Sequence, residues 1–360
     1  MFDLQVKLHQ IKPLDRAIME ETQVHLDDLT KPPGSLGVME EIARCIAGIT
    51  GKVKPQIRRK TSILMAADHG VVDEGVSAYP SVVTAQMVLN FLNGGAAINV
   101  LSRHVGAELA VMDVGVASDL PDHPSLWKKK VAYGTRNMVR EAAMTRAQAL
   151  EAIKNGYDLA EHFINGGTEL IGTGEMGIGN TTASTALLVH FAGVPVNDVV
   201  GRGTGIDDER LKLKIKAIEA ALQHHKPPLD DPLEALARIG GLEIAGLVGV
   251  FLACAVKRVP AIVDGFISAA AALVASRLHP HLRDYLLASH LSEEPGHRLM
   301  LELIGIRPVL HMKMRLGEGT GAALAMNIIE ASLKILNEMA TFSSAGVSGT
   351  LEDGGVTQSP

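Results

Sequence analysis

Short apolar blocks and amphipathic blocks alternate along the chain. Six apolar runs rich in β-branched residues end abruptly at glycine or a polar residue, which is typical of strands buried on both faces of a parallel sheet. They cover 62–67, 109–112, 169–171, 261–263, 285–288 and 309–314. Segments with helical spacing separate them, at 96–104, 146–164, 182–191, 208–223 and 265–276. The alternation predicts an α/β fold with a mainly parallel sheet of about six strands covered by helices.

The two ends of the chain have helical patterns without an apolar run of strand type. These patterns cover 15–29, 39–49 and 321–340. We therefore predict a small helical domain, formed by 1–60 together with about 325–345, beside a main domain at 61–324. The end of the chain, 346–360, is rich in Gly, Ser and Thr and is expected to be a flexible tail.

Composition narrows the possible partners. The chain has 360 residues, 47% of them hydrophobic and 21% charged, which predicts a folded globular protein. The formal net charge is -6, and no long basic run is present, so nucleic acid is not an expected partner. The longest apolar stretch, 242–256, includes Glu243 and is shorter than the roughly 20 residues that cross a bilayer. No signal peptide is recognised and only Cys45 and Cys254 are present, so we expect a cytoplasmic protein.

A glycine-rich segment, 172–182 (GTGEMGIGNTT), follows a predicted strand and leads into a predicted helix. Such a loop presents backbone N–H groups to a phosphate. Its first six residues fit G-x-G-x-x-G, so a dinucleotide site, a mononucleotide site and a structural turn all remain open. The position in mid-chain, and Asp198 standing where no clear strand ends, favour a mononucleotide. A second cluster, 201–205 (GRGTG), is either a further phosphate loop with Arg202 as its cation or a plain helix entry.

Two further segments carry acidic residues at the ends of predicted strands. Glu318 is bracketed by glycines, which let a substrate approach its carboxylate closely, although a solvated loop glutamate fits equally well. Asp68 and His69 suggest a metal or acid/base pair, or a pair that supports its own loop by hydrogen bonds. No other His, Asp or Glu cluster has metal-ligand spacing, so we predict no metal site.

Five segments in this order, 31–37, 67–71, 174–182, 201–205 and 317–321, together resemble the nicotinate-nucleotide:dimethylbenzimidazole phosphoribosyltransferase family. The resemblance spans nearly the whole chain. It implies that the ribose 5-phosphate of nicotinate mononucleotide passes to 5,6-dimethylbenzimidazole, giving α-ribazole 5′-phosphate and nicotinate for the lower ligand of cobalamin. It also implies a Rossmann-like large domain, a small helical domain, a homodimer and no cofactor.

The resemblance assigns roles to individual residues. Glu318 matches the catalytic carboxylate, and Glu175 is our candidate for stabilising the positive sugar. The residues expected to bind the nucleotide and its phosphate are Gly174, Met176, Gly177, Ile178, Gly179, Asn180, Arg202, Gly203 and Lys214, with backbone N–H groups of Gly177, Ile178 and Gly203 on the phosphate. Lys214 is alternatively a solvated helix lysine.

For the flat, apolar base we expect a slot lined by Ser81, Gln86 and Met87, of which Gln86 and Met87 alternatively only cap and pack a helix. Two other function classes compete with the transferase. One is an NAD-dependent oxidoreductase that uses 172–177 as its fingerprint. The other is a nucleotide-sensing protein in which Glu318 only holds ribose.

Overall fold

The computed structural model describes residues 2–203 and 205–348. Its strands, β1 to β7 in chain order, are Lys60–Ala67, Ala107–Gly115, Leu126–Lys128, Leu170–Met176, Ala261–Val263, Leu286–His290 and Pro308–Leu310. They form one sheet in the order β3-β2-β1-β4-β5-β6-β7, and every neighbouring pair is parallel. The predicted α/β class with a parallel sheet is confirmed.

Helices account for most of the remaining described residues. In chain order, α1 to α15 are Leu4–His9, Arg16–Asp28, Val38–Thr50, Val82–Leu92, Ala97–Val105, Arg146–Asn165, Asn180–Ala192, Val196–Val199, Asp208–His225, Pro232–Ile239, Leu242–Lys257, Phe266–Leu278, His297–Ile304, Thr320–Glu338 and Phe342–Ala345. Two 3₁₀ helices, Gly70–Glu74 and Pro280–Tyr285, lie between them. No helix within the described ranges is both long and apolar enough to cross a membrane.

The strand order places a switch point at the middle of the sheet. From β1 the chain adds β2 and β3 on one side, and then returns to the other side of β1 to begin β4. The segments after β1 and β4 therefore diverge and leave a crevice at the carboxyl ends of the strands, where ligands bind in sheets of this kind. The pairing of Ala66 with Met176 brings the ends of these two strands level.

The sheet has seven strands within the described residues, not the six predicted. The additional strand, β3, is three residues long and pairs only with Val111–Asp113 at the edge of the sheet. Its exposed lysine end and polar flanks hide the apolar pattern by which buried strands are recognised. The last strand, β7, ends at Leu310, whereas the predicted strand ran to 314. Beyond Leu310 the chain no longer pairs as a strand, although the Glu293 N–H still donates to the Met314 carbonyl oxygen.

Close packing of two helices forms much of the core behind the sheet. α11 is buried along almost its whole length and lies against α6. A side chain at Gly249 would collide with the Ile153 carbonyl oxygen, so the two backbones approach closely because glycine is present. The apolar stretch that contains Glu243 is therefore a core helix, which explains why it is hydrophobic all round.

The chain divides into two compact units. The first, Met1–Pro13 with Ile57–Asn327, contains the sheet, and the second is Leu14–Gln56 with Ile328–Pro360. The helix at 4–9 thus groups with the sheet, whereas the sequence interpretation placed all of 1–60 in the helical domain. The expected flexible tail, 346–360, lies largely outside the described residues, which end at 348.

The second unit is helical. Within it, His25 Nε2 lies 3.0 Å from the Leu336 carbonyl oxygen and Asn337 donates to Pro55 O at 2.9 Å. The segment KPPGSLG contains a buried ion pair, Lys31 Nζ to Glu40 Oε1 at 2.9 Å. The same Glu40 oxygen accepts the Leu36 N–H, so this pair fixes the turn between α2 and α3.

Candidate active site

A cavity of about 480 Å³ lies in the first unit, where the segments after β1, β4, β5, β6 and β7 converge. This is the position expected from the switch point in the sheet. The residues that line the cavity are Tyr79, Val83, Met87, Glu175, Met176, Gly177, Ile178, Asn180, Thr181, Gly203, Gly265, Phe266, Ile267, His290, Ser292, Glu294, Arg315, Leu316, Gly317 and Glu318.

Glu318 lies in a tightly constrained loop on the cavity wall. Gly317, Glu318 and Gly319 have φ angles of +84°, +63° and +93°, so three successive residues are left-handed. A residue with a side chain pays of order 1–3 kcal/mol for this conformation, which persists only where its surroundings enforce it. The side chain is buried and its Oε2 accepts the Ile98 N–H at 3.4 Å. Burial raises the pKa of Glu318, so its carboxylate is a stronger base than one in water. A solvated loop glutamate is excluded.

Glu175, the next-to-last residue of β4, faces the same cavity. Its Oε2 accepts a hydrogen bond from the Asn180 side chain at the start of α7. A side chain at Gly317 would collide with Glu175 Oε1, which places the loop of Glu318 directly against this carboxyl. Burial raises the pKa of Glu175 to about 8, and the carboxyls of Asp264 and Glu243 add to the rise. The group therefore takes up negative charge most readily when a cation lies beside it.

Lys214 lies on the side of the cavity formed by the two glycine-rich loops. Its ammonium group donates to Thr181 Oγ1 and to the Gly201 carbonyl oxygen, both at 2.9 Å. Only 1% of the residue is exposed, so the alternative of a solvated helix lysine is wrong. Burial lowers the pKa of Lys214 to about 8, which still leaves most of it charged at neutral pH. Since Thr181 and Gly203 line the cavity, this cation lies directly behind the wall.

Two residues predicted on the phosphate are engaged elsewhere. The Ile178 N–H donates to Thr84 Oγ1 at 3.1 Å, because α4 packs against the loop, and so is not available to a phosphate as predicted. Arg202 is half exposed, pairs with Asp208 and donates to the Ile206 carbonyl oxygen. Thr204, within the second glycine motif, lies outside the described residues.

The remaining nucleotide-binding candidates fall into two groups. Met176, Gly177, Asn180 and Gly203 line the cavity with Glu175, whereas Gly174 and Gly179 do not. A side chain at Gly174 would collide with the Glu318 carbonyl oxygen, so this glycine lets β4 contact the Glu318 loop.

The three residues predicted for the base slot separate in the structure. Met87 lines the cavity, together with Val83 one turn earlier on α4 and Tyr79 before the helix. Gln86 is exposed on an adjoining face of α4, together with Val82 and Leu89, and Ser81 is not part of the wall. The helical period of 3.6 residues explains this outcome, because positions 83 and 87 lie about 40° apart around the helix, whereas position 86 lies about 100° from position 87.

The cavity is rich in carboxyl groups. Glu175, Glu294 and Glu318 line it, and Arg315 is the one Lys or Arg among its described lining residues. Arg315 donates to the Gly203 carbonyl oxygen at 3.0 Å. Asp264 lies just behind the wall, and burial raises its pKa to about 7. The site therefore suits a ligand that carries or develops positive charge.

Comparison with known proteins agrees with these features. The family model described as phosphoribosyltransferase (DBI_PRT) matches residues 11–347. The chain belongs to this phosphoribosyltransferase family. It is 54% identical over 344 residues to the nicotinate-nucleotide--dimethylbenzimidazole phosphoribosyltransferase of Geobacter sp. (strain M21), covering 96% of this chain and 99% of that one. The protein of the same name from Geobacter sulfurreducens is 56% identical over 340 residues, with 94% and 97% coverage.

A solved structure extends the likeness to the fold. The nicotinate-nucleotide-dimethylbenzimidazole phosphoribosyltransferase of Thermus thermophilus superimposes with a TM-score of 0.89 at 46% identity, covering 94% of this chain and 100% of that one. The glycine-rich segment after β4 is thus part of a phosphoribosyltransferase, and the interpretation as an NAD oxidoreductase is set aside.

Asp68 and His69 support a loop of this phosphoribosyltransferase. His69 Nε2 lies 2.6 Å from Glu243 Oε1, and both side chains are almost completely buried. Burial alone would lower the pKa of His69, but the Glu243 carboxylate raises it overall, so the two groups form an ion pair. Asp68 accepts the Ala117 N–H and a hydrogen bond from Thr84, the residue that holds Ile178.

No group of three or more His, Cys, Asp or Glu side chains in the described part of the chain is arranged to hold a metal ion.

Several residues of the cavity wall were not predicted at all. Phe266, Ile267, Ser292 and Glu294 follow β5 and β6 as the phosphoribosyltransferase chain enters the next helices. Their position just after the strands was the available signal. His290, which ends β6, also lines the cavity. Burial lowers the pKa of His290 to about 4, so it is neutral at pH 7.

Proposed function

We propose that this phosphoribosyltransferase transfers the ribose 5-phosphate of nicotinate mononucleotide to 5,6-dimethylbenzimidazole, giving α-ribazole 5′-phosphate and nicotinate with inversion at C1′. The observation that carries the proposal is the cavity with three glutamates on its wall, at the switch point of the sheet. The names of the relatives support the choice of substrates.

The leaving group explains why a site of carboxyl groups suits this reaction. The pyridine nitrogen of nicotinate mononucleotide is quaternary and positive, so the C1′–N bond breaks without a general acid. Positive charge then moves to the sugar in an oxocarbenium-like transition state. Negative groups that are fixed beforehand stabilise such a charge without having to reorganise.

Glu318 is the proposed proton acceptor. The incoming base attacks C1′ through one ring nitrogen and becomes cationic. A carboxylate that takes the proton from the other nitrogen keeps the attacking nitrogen nucleophilic and removes the developing charge. The raised pKa of Glu318 suits this role, because burial has made the ionised carboxylate more basic.

Glu175 is the proposed partner of the sugar. Its carboxyl lies beside the Glu318 loop and is fixed by the Asn180 amide. Once the positive pyridinium ring of the nucleotide is bound, the ionised form of Glu175 is favoured, and it then stabilises the positive charge at C1′.

The phosphate is proposed to bind between the two glycine-rich loops. There, Lys214 supplies a charge behind Thr181, and the backbones of Gly177 and Gly203 line the wall. For the base, the proposed slot is formed by Tyr79, Val83 and Met87, with Leu316 on the segment that leads to Glu318.

We further propose that the protein is a cytoplasmic homodimer that acts in assembly of the nucleotide loop of cobalamin. Tyr79, Val82 and Leu316 are 52%, 57% and 58% exposed near the cavity, and a second copy would cover such apolar side chains. Neither cysteine is in a disulfide, which fits a reducing compartment. Sedimentation velocity distinguishes a dimer from a monomer.

The decisive experiment mixes the purified protein with nicotinate mononucleotide and dimethylbenzimidazole, and follows nicotinate release and the anomeric form of the product. We expect release that depends on the base, an α-linked product and no loss of rate with EDTA, since the leaving group carries its own positive charge. No release, a β-linked product or a strict requirement for Mg²⁺ would contradict the mechanism.

A further inference from the structure

The strained loop of Glu318 needs an explanation that lies outside the loop itself. Three successive left-handed residues do not form a stable turn by themselves when the middle one has a side chain. The Ile98 N–H contacts the tip of the Glu318 side chain and does not fix its backbone. The Thr320 N–H and hydroxyl both donate to the Gly317 carbonyl oxygen, at 3.1 and 2.8 Å, which closes the turn but does not engage the Gly319 N–H. A further group that contacts this part of the backbone is therefore needed to hold the loop.

Asp264 makes that contact. It directly follows β5, and its carboxyl reaches the segment after β7. Oδ2 accepts the Gly319 N–H at 3.0 Å and Oδ1 accepts the Ala322 N–H at 2.8 Å. Both donors belong to the start of α14, whose first N–H groups have no partner within the helix. The carboxyl thus caps α14 and pulls the residue after Glu318 against β5.

The position of Asp264 is itself fixed. The residue is 1% exposed, and Ser289 on β6 donates its hydroxyl to the Asp264 carbonyl oxygen at 2.7 Å. β4 also contacts the loop, because a side chain at Gly174 would collide with the Glu318 carbonyl oxygen. The loop thus lies between β4 and the Asp264 carboxyl, and the hydrogen bond from β6 fixes the backbone of Asp264.

We propose that Asp264 is a positioning residue, which acts on the reaction through Glu318 by holding the left-handed Gly317–Gly319 backbone and the start of α14. It lies behind the wall and does not line the cavity. The inference rests on the proposed role of Glu318 as proton acceptor. A displacement of about 1 Å in a catalytic group costs on the order of 100-fold in rate, so a group that fixes this backbone has a large effect without touching substrate.

The test is the variant Asp264→Asn, which keeps the size of the side chain but turns one acceptor into a donor facing an N–H. We expect kcat to fall about 10- to 100-fold while KM for nicotinate mononucleotide stays within about threefold. In a Glu318→Gln background the same change is expected to cost less than about threefold, because the group through which it acts is already impaired. A loss of equal size in both backgrounds, or a rise in KM with kcat unchanged, would overturn the proposal.

A control separates positioning from general loss of stability. Asp113 is also a buried aspartate near a strand end, on β2, and accepts the Val116 N–H at 2.9 Å, but it has no contact with the Glu318 loop. We expect Asp113→Asn to lower the melting temperature without the fall in kcat. If Asp264→Asn does not fold, Ser289→Ala removes only the hydrogen bond to the Asp264 main-chain carbonyl oxygen, and is expected to give a smaller fall in kcat with KM unchanged. No change in kcat for Ser289→Ala and Asp264→Asn would refute the inference.

Hydrogen exchange tests the contact whether or not the proposed reaction is correct. The amides of Gly319 and Ala322 are expected to exchange slowly in the unmodified protein and at least about tenfold faster in Asp264→Asn. If the protein shows no transferase activity but this difference is found, the proposed function fails and the positioning contact stands. Equal exchange in the two proteins would overturn the positioning contact itself.

Discussion

Two groups of buried acidic residues lie at the same edge of the sheet, and they differ in how their charge is balanced. After β1, Glu243 is paired with the protonated ring of His69 at 2.6 Å, and neither side chain lines the cavity. Around β4, β5 and the Glu318 loop, burial raises the pKa values of Glu175, Asp264 and Glu318, and none of the three has a Lys, Arg or His ion-pair partner among the described residues.

This difference distinguishes residues that hold the structure together from residues that are available for the reaction. A paired buried charge is satisfied in the folded protein and serves to hold a loop. Carboxyls without a partner are costly to ionise when the site is empty, and become favourable only when a cation arrives. The cationic ring of nicotinate mononucleotide, and the positive sugar that follows it, provide that charge. The proposed reaction thus uses the acidic residues for which the protein itself supplies no cationic partner.

The largest expected effect is a fall in kcat when an acidic residue without a cationic partner is replaced. Glu318→Gln is expected to lower kcat by about 10²- to 10⁴-fold, since the amide keeps the shape of the side chain but accepts no proton. Nicotinate release at saturating substrates measures it. Glu209→Gln, an exposed glutamate on α9, is the matched control and should retain full activity. A loss under about fivefold for Glu318→Gln would remove the proton acceptor from the mechanism.

Replacement of a residue in the His69–Glu243 ion pair should lower the stability of the folded protein. His69→Gln leaves Glu243 buried without its cation, so the free energy of unfolding is expected to fall by about 3–5 kcal/mol. Urea denaturation measures this, and adding Glu243→Gln in the same chain should recover part of the loss. If His69→Gln costs less than about 1 kcal/mol, the two clusters do not differ in the way described.

A third prediction concerns the cation behind the phosphate loops. Lys214→Met is expected to weaken binding of nicotinate mononucleotide about 10- to 100-fold, because a charge-assisted hydrogen bond is lost. Binding of the corresponding riboside, which has no phosphate, should change far less. Calorimetry measures both, with the exposed Lys212→Met on the same helix as control. Equal weakening for both ligands would place the phosphate elsewhere.

The smallest expected effect is a pH dependence. The pKa of Glu175 is raised to about 8, so this carboxyl on the cavity wall is mainly protonated at pH 6 and ionises as the pH rises. Affinity for the nucleotide, whose pyridinium ring is positive, should therefore increase from pH 6 to 9, by less than about tenfold in total, because the ring offsets only part of the cost of ionising a buried carboxyl. Glu175→Gln should flatten the upper part of this curve, and an unchanged slope would argue against Glu175 as the titrating group.

The sequence predicted the sheet well, because buried parallel strands and the helices between them have distinct periods. It also placed Glu175 at the end of a strand, where glycines mark close approaches. Glu318, predicted just after a strand that runs to 314, instead lies in the loop before α14, because β7 already ends at Leu310. The sequence did not predict that Lys214 is buried, since one lysine on a helix looks the same whether it faces solvent or a folded loop. The error at Gln86 has the same origin, because the face of α4 that meets the cavity is set by tertiary packing. The contacts of Asp264 join segments 55 residues apart and left no local pattern.

The central claim is that the carboxyls around Glu318 have hydrogen-bond partners but no cationic partner, so that they favour binding of a positive group. The most direct test compares the dissociation constant of nicotinate mononucleotide with that of its reduced dihydro form, whose ring is neutral. We predict that the unmodified protein binds the cationic form at least about tenfold more tightly at pH 8, and that Glu175→Gln narrows this ratio. Equal affinity for the two forms in the unmodified protein would contradict the account.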